Sequence, residues 1–202
     1  MKKNITKKES GYTIIETMIA VSLFVIIVTI GMGALLNANL LHQKSQSMRS
    51  IIDNLSFVME DMSRNLRTGY NYQCFDSVHT TLSPATLGSP RSCTNGWAIA
   101  FEYQNGETST YSDQWVYYIS SDGKIFKSTN GANNFVQLTP DEIVIDTALS
   151  GFKVIGAEPP SYNGDTQQPF VTIKLVGKIT FKNVETPFSL QTSVSQRVID
   201  IN

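Results

Sequence analysis

Few side chains in this chain of 202 residues have the chemistry of a catalyst or a metal ligand. There are two histidines, His42 and His79, and neither has sequence neighbours that complete a triad or a metal site. Gly-x-Ser-x-Gly, His-Glu-x-x-His and phosphate-cradling glycine loops do not occur. Both histidines therefore read as surface residues. Asp122, Asp141, Glu142 and Asp146 do not follow the spacing of an EF-hand loop, and a loop-built calcium site is an alternative without sequence support. The expectation is a protein with no enzymatic activity, no cofactor and no metal. Cys74 and Cys93, with no cysteine left over, suit one disulfide if this part of the chain meets an oxidising compartment. Closing a loop of that length stabilises by roughly 3 kcal/mol in the chain-entropy model. Two free buried thiols are the alternative, and the spacing is not that of a redox Cys-x-x-Cys pair. One acid stands out by its neighbours. Glu16 abuts a long uncharged run, and a carboxylate carried to a bilayer centre costs roughly 2.5–3.5 kcal/mol.

That run explains an oddity of composition. Charged residues make up 16% of the chain, against roughly 25% in ordinary soluble domains. From Thr17 to Gln43 there is no Asp, Glu, Lys or Arg over 27 residues. Its heart, Met18 to Leu36, is apolar on every face. About 20 such residues at roughly 1.5 Å each span a hydrocarbon core of roughly 30 Å, so the segment reads as a membrane helix. Lys2, Lys3, Lys7 and Lys8 against Glu9 give the preceding residues a charge of +3, which holds that end in the cytoplasm. A cleaved secretory signal, cut near Ala34 or Ala38, is the competing reading. The run is too long for it and merges into a further helical pattern without a break.

The junction before the run is the informative part. Gly11-Tyr-Thr-Ile-Ile-Glu-Thr17 resembles the type IV prepilin signal: a short basic leader ending in glycine, an aromatic residue, a glutamate four residues on, then about twenty apolar residues. Tyr12 stands where phenylalanine is commonest and Ile14 where leucine is commonest. The resemblance covers about the first 40 residues. It implies cleavage between Gly11 and Tyr12 by a prepilin peptidase, N-methylation of Tyr12, and retention of the apolar helix. A glycine fits such a cleavage site because it lies extended in a protease cleft without a side chain. Cleavage would create an ammonium at Tyr12, four residues before Glu16. In a filament of bundled helices, that ammonium could meet the Glu16 carboxylate of a neighbour and fix axial register. The alternative leaves Glu16 solvated at headgroup level. One departure is noted: many major pilins bend their helix at a proline, and here Gly33 stands at that place, with Gly31 nearby. Each glycine weakens a helix by about 1 kcal/mol or serves as a packing notch.

Beyond the run, Met48, Ile51, Ile52, Leu55, Val58, Met59, Met62 and Leu66 recur at spacings of three and four, the pattern of an amphipathic helix. The three methionines read as core filler. Gly69 is a helix stop. A helix from Tyr12 to Thr68 would have 57 residues and a length of about 85 Å if unbroken. After Gly69 the period becomes two. Strands are predicted at 97–103, 114–119, 124–127, 135–138, 142–146, 151–155, 169–181 and 188–201, with turns at Asn105-Gly106, Ser121-Asp-Gly123 and Asn130-Gly131. Residues 70–95 and the loop between Pro159-Pro160 and Pro169 read as irregular. The fold class predicted is α+β: a long N-terminal helix on a mainly antiparallel sheet. The divisions are 1–11 leader, 12–41 membrane and filament-core helix, 42–68 amphipathic helix, and 69–202 head. The aromatic cluster of Trp97, Phe101, Tyr103, Trp115, Tyr117, Tyr118 and Phe126 is assigned to packing, with base or sugar stacking as the alternative.

The reading is a structural subunit, a minor pilin or minor pseudopilin. By size and layout it is similar to the J-type subunits of type II secretion, and Glu16 sets it apart from the tip-most pseudopilin. The implied partners are the prepilin peptidase, other pilins or pseudopilins, an inner-membrane assembly platform and membrane lipid. The implied location is the cytoplasmic membrane, N-terminus inside and head outside. Removing a leader of +3 from a chain of −1 leaves −4, so nucleic acid is not an expected partner. A local basic site for DNA, as some minor pilins have, is the exception. The rival is an unprocessed, single-pass anchored binding or sensor protein; an anchored enzyme would need a constellation the sequence lacks.

Overall fold

Helix α1 runs Ile14–Thr68, 55 residues. Its start is fixed by Thr13, whose hydroxyl and carbonyl both accept the Glu16 amide, at 3.3 and 3.1 Å. A threonine here satisfies a donor that the first helical turn leaves unpaired. The helix stops before Gly69, whose amide donates to the Asn65 carbonyl at 2.9 Å. A side chain at Gly69 would collide with the Phe101 ring, so glycine permits both the stop and the close approach to the strand. The helix passes Gly31 and Gly33 without interruption. The computed structural model describes residues 11–159, 167–181 and 184–197, and the chain divides into two units, residues 1–46 and residues 47–202.

Within the second unit the strands are β1 Tyr70–Phe75, β2 Cys93–Gly96, β3 Ala98–Glu102, β4 Trp115–Ile119, β5 Ile125–Ser128, β6 Val136–Gln137, β7 Ile143–Ile145, β8 Gly151–Ile155, β9 Phe170–Phe181 and β10 Val184–Ser195. They form two sheets rather than the one expected. The first has the order β1-β3-β4-β5-β6, and the second β10-β9-β8-β2 with β7 also on β9. Every pairing between these strands is antiparallel. The fold is α+β, a long N-terminal apolar helix whose later half packs on antiparallel sheets.

Ile51, Leu55, Val58, Met59, Met62 and Leu66 form the buried stripe of α1. They meet Ile99, Phe101, Tyr117 and Ile125 from one face of the first sheet and Phe152, Ile173 and Leu175 from the second, in a single core. Because side chains alternate across a strand, Ala98, Ala100 and Val116 turn to the opposite face of the first sheet. There they pack with Phe75, Leu87 and Ala132, and with the partly buried Trp97, Tyr118 and Phe135.

Residues 70–95 depart from the irregular region expected. Tyr70–Phe75 pairs with β3, and Cys93–Gly96 pairs with β8. Both strands carry a register shift, and Asn71 sits at φ 57°, so neither has the clean alternation that marks a strand in sequence. Pairing partners, not local pattern, make them strands. The last strand starts at Val184 rather than 188. It carries Pro187 opposite Lys178, tolerated because β10 is an edge. The expected strand end beyond 197 and the loop residues 160–166 lie outside the described residues.

Candidate functional site

The residues that the sequence singles out for processing and assembly stand together at the start of α1. Gly11, Tyr12 and Thr13 precede the helix, and Tyr12 is 82% exposed. A side chain at Gly11 would meet nothing within 4 Å. Glu16 lies in the first helical turn, exposed, where a negative charge is favoured by the helix dipole. Among the described residues its carboxylate has no hydrogen-bond or ion-pair partner; only its backbone amide is engaged, by Thr13. The leader lysines Lys2, Lys3, Lys7 and Lys8 lie outside the described residues.

Beyond Glu16 the helix presents an apolar surface, and the hydroxyls in it bond back to the helix itself. Ile14, Leu23, Phe24, Ile27, Ile30 and Leu35 are all more than half exposed. The hydroxyls within the run bond their own helix: Thr17 to Ile14 O at 2.8 Å, Ser22 to Ile19 O at 2.9 Å and Thr29 to Val25 O at 2.7 Å. A helix whose interior backbone groups and hydroxyls are satisfied within the helix is the kind that hydrocarbon accepts. This is a helix long and apolar enough to cross a membrane.

In the second unit the polar chemistry is structural. Asp61 on α1 accepts from the Tyr117 hydroxyl at 2.8 Å, the Lys127 ammonium at 3.0 Å and the Asn65 amide at 2.9 Å. Burial pushes its carboxyl up, but the bonds from Lys127 and Tyr117, the ammonium's charge and the Asn65 amide together hold it below the ordinary carboxylate range. Lys127 also lies 4.4 Å from the centre of the Trp115 ring. Glu158 receives the amide and hydroxyl of Ser92 at 2.8 and 2.6 Å. Sequence reasoning named neither Asp61 nor Lys127 as functional. The only available signal was an acid on the otherwise apolar side of an amphipathic helix.

The structure joins Cys74 and Cys93 in a disulfide, with Cα atoms 5.7 Å apart, tying β1 of the first sheet to β2 of the second. Gly96 lies against it: a side chain there would strike Cys74 Sγ and sit 2.8 Å from Cys93 Sγ. His42 and His79 are exposed; His42 contacts Gln46 at 3.1 Å, and His79 contacts Asp76 at 3.1 Å. Asp122, Asp141 and Asp146 are exposed and do not converge. The carbonyls of Pro140, Asp141 and Ile143 receive the Lys124 ammonium instead. Among the described residues, no three His, Cys, Asp or Glu side chains come together as a metal cluster. The aromatic residues pack on one another, with Tyr103 stacked on Trp115 at 4.3 Å and Tyr118 on Phe126 at 5.0 Å.

No family model, curated protein or solved structure matches the chain. Function therefore rests on the local chemistry of the segment around Gly11, Tyr12 and Glu16 and on the helix that carries it.

Proposed function

We propose that this chain is a structural subunit of a type IV filament machine, a minor pilin or minor pseudopilin. The observation that carries the reading is the junction Gly11-Tyr12-Thr-Ile-Ile-Glu16 at the mouth of a long, outward-facing apolar helix. A prepilin peptidase at the cytoplasmic face would cut between Gly11 and Tyr12, and Tyr12 would then be N-methylated. The exposed positions of Gly11 and Tyr12 ahead of the helix support access by such an enzyme. The helix holds the subunit in the cytoplasmic membrane, with the head outside, until an assembly platform moves it into the filament core. There the new ammonium of one subunit meets Glu16 of the next. An exposed carboxylate without a partner among the described residues supports that role, because assembly would supply its counter-ion. The role needs no catalytic group, cofactor or metal of its own. It calls on other pilins or pseudopilins, the assembly platform and membrane lipid as partners.

Mass spectrometry of the mature N-terminus from the native membrane tests the reading. The expected product starts at methylated Tyr12. A mature chain that still carries Met1–Gly11 overturns it in favour of an unprocessed, anchored binding or sensor protein.

A further inference from the structure

Two buried carboxyl oxygens in the head have no hydrogen bond among the described residues, and the side chains that carry them both approach Gly106. Glu102 on β3 is fully buried. Its Oε1 accepts from Gln114 Nε2 at 2.6 Å, while its Oε2 is out of water and, although the Asn71 amide is near the carboxyl, has no hydrogen bond of ordinary geometry among the described residues. Asp113, in the short 3-10 turn Tyr111–Asp113 before β4, shows the same split. Its Oδ2 accepts the Glu107 amide at 3.0 Å, and its Oδ1 is buried and unbonded among the described residues. Both carboxyls close on Gly106: a Cβ there would lie 2.7 Å from Glu102 Oε2 and 3.3 Å from Asp113 Oδ2.

The surroundings offer no countercharge. β1 brings Tyr70, whose hydroxyl donates to the Gly106 carbonyl at 2.6 Å, and the neutral Asn71 and Gln73. The residue preceding β4 brings neutral Gln114, and the loop itself brings a third acid, Glu107. Among the described residues, no Lys, Arg or His forms an ion pair with Glu102, Glu107 or Asp113. A carboxyl buried as Glu102 is, without a cation and beside a second acid, keeps its proton to higher pH than it would in water. We propose that Glu102 holds a proton in the folded head, beside the Asp113 side chain, and that losing it as pH rises releases the 103–113 loop from β1 and β3. A proton on Glu102 Oε2 converts an orphaned acceptor into a donor and cancels one of the two charges. The same groups act together on its acidity: burial, and then the charge of Asp113, raise the Glu102 carboxyl above its ordinary range, against the opposing amides of Gln114 and Asn71. The loop's ties, Glu107 to Asp113 and Tyr70 to Gly106, are the contacts this proton protects.

The test is hydrogen exchange of residues 103–113 in the full chain in detergent micelles, from pH 4 to 9, corrected for the intrinsic pH dependence of exchange. For one linked proton, wild-type protection should fall about tenfold per pH unit once Glu102 begins to ionise, until it is fully charged. Glu102→Gln keeps an acceptor for Gln114 and should give a flat profile. Asp113→Asn, which removes one of the repelling charges, should reduce the total loss of protection. It also keeps the proposal testable if Glu102→Gln fails to fold. A flat wild-type profile, or a total loss of protection in the two variants equal to that of wild type, overturns the proposal. Restoration of wild-type protection at pH 9 by millimolar calcium chloride also overturns it, because the pair would then be a cation site.

Discussion

Glu16 and Asp61 are acids on the same helix with opposite environments, and their expected behaviour differs accordingly. Glu16 is exposed, and its carboxylate has no partner among the described residues. Under the filament reading its value appears only between subunits, so Glu16→Gln should leave the isolated chain as stable as wild type. It should also remove the subunit from sheared filaments, measured by immunoblot of the filament and membrane fractions. Normal entry of the variant into filaments would end the idea that this carboxylate sets register. Asp61 does its work within one chain. Its side chain is 19% exposed, and that of its partner Lys127 17%. Asp61→Asn leaves a mostly buried ammonium without its carboxylate, at a cost of about 1–3 kcal/mol. Stacking of Lys127 on Trp115 keeps the loss at the lower end. Denaturant unfolding of the full chain in detergent gives the number, and Lys127→Met should also destabilise, because it leaves the Asp61 carboxylate without its cation and held only by Tyr117 and Asn65.

Gly96 shows how closely β2 depends on the bridge beside it. Gly96→Ala places a methyl group against both sulfurs and 3.0 Å from the Phe75 carbonyl, so the strand or the disulfide must shift. A loss of about 1–3 kcal/mol is expected, read as a lower Tm with the disulfide intact. This dependence is also why β2 was not legible in sequence. Cys93-Thr-Asn-Gly96 has no alternation, and its strand state is imposed by β8 and by the bridge to Cys74. β1 is hidden for a related reason, since Asn71 at φ 57° interrupts the period. Where local pattern and tertiary need agree, the sequence was enough. Gly69 ends α1, the apolar spacing from Ile51 to Leu66 marks its buried face, and Ser121-Asp-Gly123 turns β4 into β5. The division into two sheets was not legible, because strand order depends on which edges meet and not on any one strand. Of the candidate site, the Gly11–Glu16 segment was readable since its meaning is local. The Glu102–Asp113 pair was not, because 3-10 turn, loop and strand must fold before both side chains come to Gly106.

Across the whole head, buried acids pull stability in opposite directions as pH changes. Asp61 and Glu158 are each pushed up by burial but brought net below their ordinary range, Asp61 by Lys127 and Tyr117, Glu158 by the hydroxyl and amide of Ser92. A carboxyl lowered on folding stabilises above its unfolded pKa, 3.8 for Asp61 and 4.5 for Glu158, and that contribution drains away as pH falls through the folded value. Glu102 has the reverse sign. Burial and Asp113 raise it, so its contribution is complete below 4.5 and is lost as pH rises through the raised folded value. The disulfide between the sheets carries no titrating group, so it does not alter the shape of the curve. The stability contributed by these groups should therefore peak in mildly acid solution and decline on both sides. Denaturant midpoints of the full chain measured from pH 3 to 9 check this, with each limb assigned by one variant. Asp61→Asn should flatten the acid limb and leave the other unchanged. Glu102→Gln should flatten the neutral-to-alkaline limb and make the head more stable than wild type there, since it removes a charge that the fold buries without a partner. If Glu102→Gln is instead less stable than wild type at pH 8, the ionised carboxylate is a favourable part of the folded head, and the sign given to Glu102 is wrong.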